Sequence, residues 1–307
     1  MGKSREIKKR MKAVANIRRI TRTMQMIATA KFSASQQRAV ASKPYTEALF
    51  HLVAQLSGAS GDDGAVHPLL DSNNRPGKHL ALVLTSNRGL CGPYNGAILR
   101  KGLSFVRSEI MADGMVELVG KKGLSVFKFN KIDVSEFHDM GDEPKFEAVQ
   151  ALAQNYIDRY IAGEISGVTI VYTKYLSASR QQAIAAPLIP FKPADSASTD
   201  AGSEADTASA NTDFEFSPSA ADLLDTLLPA AVKAVLFQAF NDAVVSEHVA
   251  RMVAMKSATD NAAKMGKNLQ RDFNRARQSQ ITTELTEIIS GAAALEYYFA
   301  QDAALTF

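Results

Sequence analysis

The feature that most constrains this chain is the apolar periodicity of its two ends. Residues 3–57 and about 219–300 each carry an apolar stripe, and each is interrupted by a single proline, Pro44 and Pro229. As continuous helices they would be about 80 Å and about 120 Å long, at roughly 1.5 Å per residue. No compact domain of this mass needs helices of that length. Helices like these pair with each other or thread through something else. The pattern therefore predicts a mechanical or scaffolding part rather than a small-molecule enzyme.

The N-terminal stripe reads Ile7, Met11, Val14, Ile17, Ile20, Met24, Ile27. Its mean spacing is about 3.3 residues, nearer to 3.5 than to 3.6, which implies left-handed supercoiling around a partner helix. Pro44 is expected to bend this helix without ending it, because Tyr45, Leu49, Leu52 and Leu56 continue the face. The run Gly58–Gly64 is the first clear break. At the other end, Ser217 or Ser219 can cap a helix and Pro218 suits its first turn. Pro229 should kink that helix. Val245, Val249, Met252, Met255, Ala262, Met265, Leu269, Phe273 and Ala276 form one seam, continued by Ile281, Leu285, Ile288, Ala292 and Leu295. Alanine and methionine in such a seam allow close approach and adaptable packing. An ordinary core stripe would read the same way over a short helix. At this length, pairing with the N-terminal helix is the better reading.

The middle has a different rhythm. His79–Ser86 reads as a buried strand, Asn87–Asn95 as a glycine-rich turn and 96–112 as a helix. A short strand follows at Val116–Val119, a short helix at 121–128, a strand at Ile132–Phe137 and a helix at 144–163. Val168–Tyr175 and Gln182–Ile189 read as neighbouring strands. Strands alternating with helices point to a small, mostly parallel sheet. Residues 192–213 hold five acids, one lysine and no aromatic. Such a segment buries too little surface to offset its ordering entropy. The expected fold combines α+β and α/β features. A long antiparallel coiled coil of the N- and C-terminal helices (1–58 and 217–303) joins a Rossmann-like α/β globular domain (75–191), with 192–213 as a disordered acidic loop.

Net charge is a mild +3, but its distribution is uneven. Residues 3–22 hold nine basic side chains against the single acid Glu6. Lys264, Lys267, Arg271, Arg275 and Arg277 are opposed there only by Asp272. Antiparallel pairing would bring these two basic helices side by side, where they repel unless an acidic partner relieves them. Nucleic acid is one such partner. However, no aromatic residue interleaves with Lys3–Arg22, and Glu284, Glu287, Glu296 and Asp302 reverse the sign toward the end. A rod basic in its middle and acidic at its tip suits a shaped protein socket better than a uniform polyanion. One cysteine, Cys91, excludes an internal disulfide and fits a reducing compartment. No unbroken apolar run approaches the roughly 20 residues that span a bilayer. The basic start resembles a mitochondrial transit peptide only superficially, because the helical periodicity runs on through residues 24–57.

No motif carries catalysis. The turn Arg88–Pro93 sits between a strand and a helix, where phosphate loops sit, but lacks GxGxxG spacing. Gly114 to Lys122 has one residue too many between its glycines for a P-loop and no Ser or Thr after the lysine. The five histidines form no i,i+4 pair and no HExxH, so no zinc site is expected. Cys91 reads as a small buried residue of the turn rather than a nucleophile.

Three stretches carry a resemblance to a known family. They are ITRTMQMIATAKF at Ile20–Phe32, SNRGLCG at Ser86–Gly92, and ARMVAMKSATDN at Ala250–Asn261 with RARQSQITTELTEIISGAAA at Arg275–Ala294. In these, and in their order and spacing, the chain resembles the gamma subunits of F-type ATP synthases over nearly its whole length. It departs in a longer acidic loop at 192–213 and in the tail Glu296–Phe307.

The resemblance implies a central rotor shaft that couples proton flow through a membrane sector to ATP synthesis or hydrolysis. It makes and breaks no bond itself and holds no cofactor, catalytic residue or metal. The implied partners are three alpha and three beta subunits, an epsilon subunit and the c-ring, with no nucleic acid. Met24 would face a beta lever, where a cation would add an unwanted ion pair, and Arg251 would bind the neck of the shaft. Arg277, Gln278 and Thr282 would contact a loop near the base of a beta subunit, with Glu287 continuing that face. Lys8, Lys9 and Arg10 fit an acidic lever by charge. Glu215 and Phe216 align with the foot on the c-ring. A chloroplast-type thiol switch needs two cysteines and is absent. The Met-Gly start points to a bacterial protein peripheral to the cytoplasmic face of the inner membrane.

Overall fold

The structure is a computed structural model that describes residues 2–59, 67–70, 76–110, 114–191 and 220–304. The acidic loop at 192–213, the helix cap at Ser217 or Ser219, and Glu215 and Phe216 lie outside the described residues. The chain forms two compact units, Met1–Met26 with Val253–Phe307, and Ile27–Met252.

The elements are α1 (Gly2–Ala59), β1 (Lys78–Leu84), α2 (Tyr94–Phe105), β2 (Met115–Val119), α3 (Lys121–Phe129), β3 (Glu136–His138), α4 (Phe146–Ile161), β4 (Ile165–Tyr175), β5 (Gln181–Ile189) and α5 (Ala220–Ala304). A π-helical turn, Val106–Ile110, extends α2. Pro44 and Pro229 lie inside α1 and α5, and both helices continue across them. Proline removes one amide donor, but a long helix loses only that local bond.

In the unit 27–252 the sheet runs β3-β2-β1-β4-β5. The first four strands are parallel to their neighbours and β5 is antiparallel to β4. This is a Rossmann-like sheet with one antiparallel edge, as the alternating elements predicted. β1 is central, and its side chains divide by the period of two. Leu80, Leu82 and Leu84 enter one core with Tyr156, Ile157 and Leu236, while Ala81 and Val83 enter another with Ile98, Leu118 and Phe127. Covered on both faces, β1 reads as a continuous apolar run. Gly120 ends β2 at φ +88, and a Cβ there would run into the Thr85 carbonyl. The threonine hydroxyl seals this corner by donating to the carbonyls of Val119 and Gly120, both at 2.9 Å.

β3 is shorter than the run Ile132–Phe137 suggested. Lys131 turns the chain at φ +55, and only Glu136–His138 pair with β2. Ile132 and Val134 are spent on packing instead. β4 begins earlier than expected, because a register shift at Lys78/His79 lets Ile165 pair before Gly167.

α5 contains one stretch long and apolar enough to cross a bilayer by length and composition, which a search for unbroken apolar runs does not find. Charged residues such as Asp225 and Lys233 interrupt it. Its apolar side chains Leu224, Leu228, Val232, Leu236 and Phe240 are buried in the core beneath the sheet, so its hydropathy is that of a core helix.

The buried face of α1 corrects the expected stripe. It returns every seven residues, at Ile7, Val14, Thr21, Ala28, Ser35, Ser42, Leu49 and Leu56, all at least half-buried. Ile17, Ile20 and Ile27 are instead 52, 55 and 54 % exposed. A stripe traced through apolar residues alone steps too short and drifts off the seam. The seam keeps the 3.5-residue period by accepting small polar residues. Their hydroxyls are satisfied: Thr259 donates to Thr21 at 2.9 Å, and Ser42 donates to Gln238 at 2.8 Å.

One buried carboxylate on α5 works against the fold. Burial pushes the Asp242 carboxyl up to about 6, and Gln238, which donates to it at 2.9 Å, offsets only part of this. The folded state therefore binds this proton more tightly than the unfolded chain. Wild-type stability should rise as pH falls through about 6 toward 3.8. Asp242→Asn is expected to stabilise by about 1–3 kcal/mol near pH 8, with the gain vanishing below about pH 4. Urea unfolding of both proteins across pH reads this directly. An unchanged difference at low pH would refute the assignment.

Candidate functional site

In the unit built from the two helix ends, α1 and α5 run antiparallel. Ser4 donates to Gln280 at 3.0 Å, and Thr259 meets Thr21 further along. Met255 and Ala262 are buried in the seam, and Leu269, Phe273 and Ala276 are half-buried. Met265, expected in that seam, is 55 % exposed, so the seam steps past it. Beyond Gln280 the character changes. Ile281, Leu285, Ile288 and Ile289 are 52 to 72 % exposed, and every residue of 281–294 is exposed. α1 reaches no further than its own N-terminus near Gln280, so the surplus length of α5 carries an apolar face that no described residue covers.

Most of the residues expected to couple lie on this unit. Lys8, Lys9, Arg10, Arg277, Gln278, Thr282 and Glu287 are exposed, and Met24 is half-buried beside the seam. Arg10 reaches back to Glu6 at 2.6 Å across one helical turn, a surface pair worth little. Among the described residues, Arg5, Lys8, Lys9, Lys12, Arg18, Arg19 and Arg22 make no ion pair, nor do Lys264, Lys267, Arg271, Arg275 and Arg277. The positive potential of the rod is therefore uncompensated from within. Thr282, Thr283 and Thr286 turn their hydroxyls onto the helix's own carbonyls, four residues back, at 2.8 to 3.0 Å. That satisfies them locally and leaves their methyl groups outward.

Arg251 lies in the other unit and is buried. Its guanidinium meets Glu247 at 2.6 Å and donates at 3.4 Å to the carbonyls of Arg88 and Gly89. The turn after β1 is thus docked on α5. Tyr94 adds a second anchor by donating to the Ala243 carbonyl at 3.0 Å. The turn holds itself through Ser86, whose hydroxyl donates to the Arg88 carbonyl at 2.6 Å while its amide donates to Asn95. Cys91 is buried within it, in contact with Asn95, as expected of a structural residue. The polarity is the reverse of a phosphate loop. Such a loop aims N–H groups at an anion, whereas this turn aims carbonyls at a guanidinium.

A second polar group surrounds this turn and was not visible in the sequence. The loop Asp139–Glu143 ties α1, α3 and the turn together. Glu143 pairs with Arg38 at 3.2 Å and Lys31 at 4.0 Å, Asp142 with Arg88 at 3.1 Å, and Asp139 with Lys121 at 3.5 Å. Asn87 donates to the Gly141 carbonyl at 2.9 Å. His248 is buried beside this group, and among the described residues neither ring nitrogen has a hydrogen-bond partner. Burial first, and the Arg251 and Lys31 charges next, depress its pKa to about 4, so it stays neutral.

Glu117, Glu136 and His138 lie close enough to suggest a metal seat. The geometry argues otherwise. Glu117 already accepts from Tyr156 at 2.6 Å, His138 at 2.8 Å and Arg159 at 2.9 Å. A divalent cation there would sit against the Arg159 guanidinium. This is an internal polar network of the sheet edge.

The family model described as ATP synthase matches residues 3–295. The chain is 42 % identical over 304 residues to the ATP synthase gamma chain of Rhodopirellula baltica, covering 96 % of this chain and all of that one. It is 35 % identical over 298 residues to the ATP synthase gamma chain of Desulfitobacterium hafniense, with the same coverage. Its fold is similar to a rotor chain of the Euglena gracilis mitochondrial ATP synthase, with a TM-score of 0.60 and 19 % identity, over 91 % of this chain and 99 % of that one. It is also similar to a central-stalk or c-ring chain of the Tetrahymena thermophila enzyme, with a TM-score of 0.54 and 17 % identity, over 78 % and 99 %. By sequence over 96 % of its length, the chain belongs to the ATP synthase gamma-chain family.

Proposed function

We propose that this chain is the central rotor shaft of an F-type ATP synthase, turning inside a ring of three alpha and three beta subunits. Its globular unit stands on the c-ring beside epsilon, and the complex sits at the cytoplasmic face of a bacterial inner membrane. The shaft catalyses nothing. Proton flow turns it, and each shaft angle interacts differently with the three beta conformations, which is the differential free energy that coupling requires. The observation that carries this reading is the rod itself: a paired, uncompensated basic segment that continues into the uncovered helix 281–294.

Within that frame the residue roles follow from position. Lys8 and Lys9, and Arg10 beyond its surface pair with Glu6, would meet an acidic beta lever, and Met24, about four turns further along α1, would face a lever from the edge of the seam. Arg277, Gln278, Thr282 and Glu287 share the exposed α5 surface around the end of the pairing, where a beta loop would bear. Arg251 acts from inside, fixing the neck turn so that torque passes between sheet and helix. Glu215 and Phe216, which lie outside the described residues, would contact the c-ring by the family resemblance alone.

Purification of the membrane complex tests the assignment. The chain should co-purify with alpha, beta and epsilon, and its deletion should abolish coupled synthesis. A chain recovered only as a free species, without beta, would overturn it. The electrostatic part has its own test. Replacing Lys8, Lys9 and Arg10 together by glutamine removes three surface contacts at about 0.5 kcal/mol each, so affinity for the alpha–beta ring should fall roughly tenfold. The loss should shrink at high salt. A salt-independent change would point to packing rather than charge.

A further inference from the structure

The surface of α3 and the turn after it carries features that the shaft does not use. Phe129, the last residue of α3, is 86 % exposed. The residue before it, Lys128, lines a groove of about 1100 Å³ whose walls include Val106, Leu124 and Ile132. Among the described residues its rim carries Arg107, Lys128 and Lys131 with one acid, Asp133. Arg107 is hydrogen-bonded to the neutral Asn130 at 2.9 Å, and among the described residues Lys128 and Lys131 make no ion pair. An aromatic left in water beside an aliphatic hollow marks an interaction surface. The cationic rim selects the charge of what binds there.

We propose that this groove docks an acidic segment of a protein partner, with aliphatic side chains of that segment seated beside Phe129 and its carboxylates on Arg107, Lys128 and Lys131. The concave aliphatic floor separates this from the other anionic candidates. A flat lipid surface cannot enter the hollow, and among the groove's described lining residues there is no aromatic ring on which a nucleobase could stack. The surface is independent of the shaft reading, because none of its residues lies on α1 or α5, so either can fail alone.

The probe is a short labelled synthetic peptide alternating glutamate with leucine, titrated onto the purified full-length chain by fluorescence anisotropy. Binding should weaken with salt. It should fall at least roughly tenfold in Lys128→Glu/Lys131→Glu and in Phe129→Ser. All of these positions are at the surface, and circular dichroism confirms that each variant is folded. No binding at low salt, or equal binding by folded variants, overturns the proposal. So does retention of phosphatidylglycerol vesicles or single-stranded RNA without retention of the peptide. In the assembled complex, a photo-crosslinking phenylalanine at position 129 should label an acidic segment of another subunit. Adducts confined to lipid or to this chain contradict it.

Discussion

Replacing Arg251 by alanine is expected to destabilise the unit 27–252 by about 3–5 kcal/mol and to lower its melting temperature by roughly 6–15 °C. The wild-type guanidinium neutralises Glu247 and satisfies the carbonyls of Arg88 and Gly89 at one stroke. Burial already pushes the Glu247 carboxyl above its usual range, and the Arg251 charge only partly restores it. Once Arg251 is gone, Glu247 is a largely buried carboxylate offset only by the more distant Lys31 charge, and that weakly compensated group supplies most of the penalty. The double variant Arg251→Ala/Glu247→Ala should therefore recover part of the loss. Arg251→Lys should fall between, since one ammonium cannot fork to a carboxylate and two carbonyls. In the complex, Arg251→Ala should reduce synthesis more than hydrolysis, because the neck turn no longer holds α5. If the double variant is as unstable as the single, the stranded-charge argument is wrong.

The other large effect belongs to Glu117. Glu117→Ala is expected to cost about 3–5 kcal/mol, because it takes the partner from the buried Tyr156 hydroxyl and leaves Arg159 only its 3.7 Å pair with the exposed Glu164. Burial by itself would raise this carboxyl. The hydrogen bonds from His138, Tyr156 and Arg159 outweigh that and hold it below the usual carboxylate range. A depressed folded pKa means that the native state releases this proton more readily than the unfolded chain. The stabilisation is therefore complete above about pH 4.5 and is lost as pH falls through the folded value. Glu117→Gln should be clearly less stable than wild type at neutral pH, and the gap should close in acid. Denaturant melts at several pH values test this, and a gap that stays constant into acid would remove the ionised carboxylate from the account.

What was legible in the sequence was what repeats. Helix lengths and strand alternation are written locally, so the long ends, the order of the middle elements and the pairing of β4 with β5 as neighbours could be read from periodicity, whereas the antiparallel direction of that pair could not. The charge asymmetry was equally plain. The α1 seam was misread because apolarity stood in for burial. Thr21, Ser35 and Ser42 occupy buried heptad positions, while Ile17 and Ile20 lie off them. Hydroxyls that find partners across a helix pair are not visible as core in one dimension. The site residues divide in the same way. Lys8, Lys9 and Arg10 declare themselves as a charge run. The internal role of Arg251 depends on a turn 162 residues away. The Asp139–Glu143 loop reads as an ordinary polar connection until folding brings Lys31, Arg38 and Arg88 against it. Glu117 looks like a lone polar residue in a strand, and its partners come from β3 and α4.

The central claim is mechanical, and rotation tests it most directly. The alpha–beta ring would be fixed to a surface and a bead attached to the globular unit of this chain in the assembled complex. On adding ATP, the bead should turn in one direction, in steps of threefold spacing, and should stop when ATP is exhausted. Steady ATP hydrolysis beneath a bead that does not turn would contradict the account.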